Sequence, residues 1–224
     1  MRGPPQSEWP GQAPITNSLR ATMDIMGATA ADLRRVVDHY KRKFRSRAQR
    51  ELDSFAAETS LEAAVVRAGL VEKPDGSRYS HQRRRSPDEL HRGVKNLTRD
   101  LAKLEAAQNF AQILDAVHAS VAHLQGLNEL YIYDVALHVG AYKTMLPTRI
   151  YLHSGTRKGA LALGLDARIR KALDMFELPE PLQVLAPHEV EDVLCIYKSV
   201  FSGGALPEDV NPPCLLPDDE VDCI

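Results

Sequence analysis

The stretch SPDELHRGVKNLTRDLAKL, residues 86–104, decides the fold class. Ser86 has the chemistry of a helix cap, Pro87 fits a first turn where no N–H is needed, and Glu89 can reach back to the cap. Leu90, Val94, Leu97, Leu101 and Leu104 then recur at alternating spacings of four and three. That spacing makes a narrow apolar seam suited to packing against other helices.

The pattern continues on both sides. Asn109 with Gln112 restarts it, and Phe110, Ile113, Leu114, Val117, Val121 and Leu124 share one face. Upstream, Thr29-x-x-Asp32 resembles a capping box, ahead of Val37, Tyr40, Phe44, Leu52 and Phe55. Thr59-x-x-Glu62 marks a second start, before Leu61, Ala64, Val65 and Ala68, with Gly69 as its end. Downstream, helices are expected to about Tyr142, over Arg157–Ala162, from Asp166 to Phe176, and from Pro187 through Tyr197 to a stop at Ser202-Gly203-Gly204. Strand is allowed only within Glu72–Arg85, around the Pro74-Asp75-Gly76 turn. The expectation is an all-α, multi-helix bundle. It comprises a Pro/Gly-rich flexible leader (1–26), one helical domain over 27–204 that is open to division into lobes 27–85 and 86–204, and an acidic, disordered tail (205–224).

At 44% hydrophobic and 26% charged, the chain has ordinary globular composition. No apolar run approaches the roughly 18 residues of a membrane span, and the leader has no apolar core of the kind a signal peptide needs. Three cysteines, Cys195, Cys214 and Cys223, suit neither a disulfide framework nor a zinc site, so the expected compartment is the cytoplasm and no metal or cofactor is called for. Residues 1–171 hold 27 Lys and Arg against 18 Asp and Glu, whereas 172–224 hold one against 12. A basic body with an acidic tail points to contact with nucleic acid or its regulation.

Leu124-Gln125-Gly126-Leu127-Asn128-Glu129-Leu130, followed by YIYDVALHVG, has the shape of a helix-hairpin-helix element. Asn128 takes the place of the usual second glycine and tolerates left-handed backbone, and Ala136 is small where two helices approach. Such a hairpin directs backbone N–H groups at a phosphate. The wider stretch 109–176 resembles the corresponding half of helix-hairpin-helix DNA glycosylases, which implies that scaffold and DNA as partner. In that family a catalytic Asp follows at a helix start. This chain has Ile150-Tyr151-Leu152-His153-Ser154-Gly155-Thr156 there, without an Asp, and Leu130 where bifunctional members carry Lys. The resemblance therefore does not extend to glycosylase chemistry. The runs YDVALHVGAY and RIYLHSGTRKGALALG also resemble uncharacterised bacterial proteins.

Candidate phosphate contacts are Arg83, Arg84 and Arg85, which crowd a positive helix end, the hairpin residues Gly126, Leu127 and Asn128, and Arg157 with Lys158 at another helix start. Each has a bland alternative, in a solvated loop or a plain helix turn. The SGTRKG run (154–159) fails the P-loop spacing. Arg34–Arg50 adds eight bases against one acid, Asp38. Asp134 and His138 share a helix face at i and i+4, and with His153 they are the acid–base or metal-holding candidates, unless the pair is only a surface hydrogen bond. The leading expectation is a non-enzymatic protein that binds the nucleic-acid backbone, DNA before RNA. The alternatives are an enzyme acting on a nucleic-acid base through Asp134, His138 or His153, and an accessory factor binding other proteins, the acidic tail being a further protein contact.

Overall fold

The computed structural model describes residues 28–73, 75–79 and 85–206, and about 64% of these described residues are helical. The leader, Arg83, Arg84 and the tail from 207 lie outside the described residues. The fold is all-α, as the seam and caps require.

Helix α1 (Ala30–Tyr40) opens with the Thr29–Asp32 capping box, and α4 (Pro87–Arg99) with that of Ser86 and Glu89. One start moves by a residue: α3 (Leu61–Gly69) is capped by Ser60, whose hydroxyl accepts from the Ala63 N–H at 3.1 Å. Helix α1 runs through a π turn (Lys41–Arg45) into α2 (Ser46–Ala56). A π turn holds an extra residue relative to an α turn and so rotates the face that follows. Before it, Leu33, Val36, Val37 and Tyr40, and Phe44 within it, enter one core; after it, Leu52 and Phe55 enter another.

The first core joins α2 and α3 to α4, α5 (Leu101–Ala106), α6 (Phe110–Val121) and α7 (Glu129–Tyr142). Leu90, Leu97 and Leu104 are fully enclosed in it, and α7 is buried around most of its circumference. The second core joins α1 to α8 (Ser154–Ala162), α9 (Pro187–Ile196) and α10 (Lys198–Phe201). Gly159 lets α8 lie directly on α9, because any β-carbon there would collide with the Leu194 carbonyl.

Two expectations are corrected. Asp166–Phe176 is not a helix: β1 (Ile150–Tyr151) pairs antiparallel with β2 (Ala172–Leu173), and only a 3-10 turn follows at Met175–Glu177. Arg157 explains much of this, because its guanidinium donates to the carbonyls of Leu152, Ala167 and Arg170, taking acceptors that a helix would need. Strand therefore also lies outside the one stretch where it was allowed, and that stretch holds only a Glu72–Arg78 bridge among its described residues. The second correction is Asn128. Its φ is −92°, an extended cap whose side chain accepts from the Tyr131 N–H at 3.1 Å, and the left-handed residue of the turn is Gly126, at +91°.

Candidate active site

Asp134, His138 and His153 line one cavity of about 70 Å³, between α2, α7 and α9. Its lining includes Glu51 from α2, Tyr133 from α7, and His188, Glu191, Asp192 and Cys195 from α9. Half-buried Ala48, Leu130, Leu137 and Ile196 add an apolar rim. The volume has room for about five waters, at some 10–15 Å³ each.

Two histidines with different partners flank the cavity. His138 is stacked on Phe55, with centroids 4.0 Å apart and planes 7° from parallel, and its Nε2 meets Glu51 Oε1 at 2.8 Å. That carboxylate fixes the tautomer with the proton on Nε2. The bare Nδ1 is buried without a hydrogen-bond partner. His153 caps α8, its Nδ1 facing the Gly155 N–H at 3.3 Å. Its Nε2 bonds Glu191, and the Thr156 hydroxyl joins both at 2.8 and 2.7 Å. Burial disfavours a charge on His153, but the Glu191 carboxylate outweighs it and raises the imidazole to about 9.

Asp192 has the opposite fate. Burial, then the Glu191 charge, push its pKa well above the carboxylate range, and Tyr40 donates a hydrogen bond to it at 2.8 Å. It therefore holds its proton more tightly than an ordinary carboxyl group does. Tyr133, whose hydroxyl is also buried without a partner, is raised by burial. On the far side of Tyr133 and His153 lies a second recess of about 460 Å³, floored by Leu114, Ile132 and Tyr151 and edged by Asp115, Glu129 and Lys171. Among the described residues, no group of His, Cys, Asp and Glu is arranged to hold a metal ion.

The nominated phosphate contacts are not brought together in this way. Leu127 is a core residue, and the Glu89 carboxylate stands against Gly126, where it would repel an anion. Arg157 spends its guanidinium on three carbonyls. Half-buried Arg85 has its guanidinium 5.8 Å from the Tyr131 ring, and burial lowers its pKa. Lys158 is exposed.

Sequence reasoning missed Glu51, Glu191, Asp192 and Cys195. Acids inside an otherwise apolar helical pattern were the available signal, since carboxylates seldom enter a core without a purpose. No protein-family model, curated protein or solved structure matches this chain.

Proposed function

We propose that the protein is an enzyme that hydrolyses a small substrate by general acid–base catalysis, with His138 as base and His153 as acid. The supporting observation is that two histidines, each held by its own carboxylate, flank one cavity. Two imidazoles oriented by carboxylates on one cavity are an arrangement that general acid–base catalysis uses. Glu51 leaves His138 Nδ1 bare to accept a proton from a cavity water. His153 keeps its proton through neutral pH and can give it to the leaving group. The apolar rim limits solvent and strengthens both interactions.

Two substrates test the reading: p-nitrophenyl acetate, a simple activated ester, and alkylated duplex DNA, assayed for free base. His138→Gln and His153→Gln should each lower kcat on the accepted substrate by about a hundredfold or more, with the far-UV spectrum unchanged. Turnover that survives both substitutions overturns it.

A second reading, the non-enzymatic nucleic-acid binder, is favoured by one observation. Arg34, Arg35, Arg42 and Arg50 stand exposed along α1, the π turn and α2. Arg34 and Arg35 already pair with Glu180 and Asp32, which leaves Arg42 and Arg50 as its best contacts.

A further inference from the structure

We propose that Cys195 is the nucleophile of this site, the first member of a Cys195–His153–Glu191 relay that attacks an acyl carbon in the cavity. The proposal rests on the acid–base reading of His153 and goes beyond it by naming the attacking atom and the substrate class, a small ester or thioester.

The geometry comes from two helices. On α9, Glu191 and Cys195 are four residues apart and share a face. On α8, His153 is the cap and Gly155 lies in the first turn. The Cys195 sulfur and His153 Cε1 stand 2.5 and 3.4 Å from the point where a Gly155 β-carbon would be. Only glycine lets the sulfur come so near the start of this nine-residue helix. Glu191 holds His153 by Nε2, and the ring's Nδ1 faces the N–H of Gly155, the residue against which the sulfur lies. Nucleophile, base and orienting carboxylate thus follow in the order that activates a thiol.

The cavity is also built to receive something. Tyr133 and His138, 3% and 5% exposed, both line it, and the Tyr133 hydroxyl and His138 Nδ1 have no hydrogen-bond partner. Carboxylates oppose a thiolate here, but Glu191 is paired with His153, Glu51 is bound to His138, and burial favours the neutral form of Asp192. The positive end of α8 works in the thiolate's favour.

The proton that His153 keeps through neutral pH stands opposite a Cys195 thiolate in the resting site, and in the first half-reaction Sγ attacks the acyl carbon as that thiolate. The bond to the alcohol or thiol leaving group breaks, and that group takes the proton from His153. In the second half, His138 Nδ1 accepts a proton from water as the water oxygen attacks the thioester. The C–S bond breaks, the acid departs with the sulfur left as thiolate, and the proton on His138 passes through cavity water back to His153.

The test uses the full chain, with Cys214 and Cys223 as internal reference thiols. At about pH 6, where ordinary thiols are largely protonated, iodoacetamide should label the Cys195 peptide at least tenfold faster than either reference peptide. His153→Gln should remove that advantage. With p-nitrophenyl acetate, an acetyl group should appear on Cys195, and Cys195→Ser should abolish turnover. Labelling no faster than the references, or an advantage retained in His153→Gln, overturns the proposal. So does turnover that survives Cys195→Ser while both histidine variants lose it, a result that leaves the acid–base reading intact. Turnover that survives the histidine substitutions defeats that reading instead.

Discussion

His153 binds a proton more tightly in the folded chain, where its value is about 9, than in the unfolded chain at 6.5. A raised histidine stabilises the fold fully below the unfolded value, and that stabilisation is lost as pH rises through the folded one. The window is therefore about pH 6.5 to 9, and the loss is at most about 3 kcal/mol at 1.36 kcal/mol per pH unit. Asp192 acts in the same direction, since it too must give up a proton that the fold retains. Urea unfolding at the two ends of this window should show wild type losing stability and His153→Gln losing markedly less; equal losses would separate the pairing from the fold's pH response. At this scale the sequence was partly legible. Asp134 and His138 were identified from an i, i+4 spacing, which a helix enforces. Arg157 was misread, because its partners are backbone carbonyls, and every residue type carries those.

Helix starts were legible because a cap is a local device: Thr29, Ser86 and Asn109 each act within three residues. The π turn was not, since Lys41–Arg45 has the composition of any basic helix and its insertion shows only in what each side faces. The 166–176 segment was misread because a long-range bond network overrode its local helical preference. The π turn also supports a prediction. Deleting Lys43, which is exposed, should return the turn to α geometry and rotate α2 by about 100°, one residue of a 3.6-residue turn. Leu52 and Phe55 would leave their core, and Glu51 would lose His138. The expected result is a clearly lowered melting temperature together with lost turnover, whereas Lys43→Ala should change neither. A deletion variant as stable and active as wild type would show that the π turn does not set the register.

For the whole molecule, the all-α class followed from patterning, but which helix joins which core did not, because periodicity gives a helix a face and never a partner. Charge has a whole-molecule test as well. If the exposed ridge of α1 and α2 tracks phosphates, the Arg42→Ala, Arg50→Ala double variant should reduce the slope of log affinity against log salt on duplex DNA by about two, near one per lost contact. An unchanged slope removes the ridge as a binding surface. The arrangement of the two cores also bears on the order in which the chain becomes competent. The first core draws on residues 52–141, and these are contiguous, so it can assemble while synthesis continues. The second needs residues 28–44 to wait for 150–201. Glu51 and His138 can therefore meet early, whereas His153, Glu191 and Cys195 come together only when α9 has left the ribosome. A nascent or truncated chain would carry half a reaction centre and none of its chemistry, so activity would report that synthesis had passed α9.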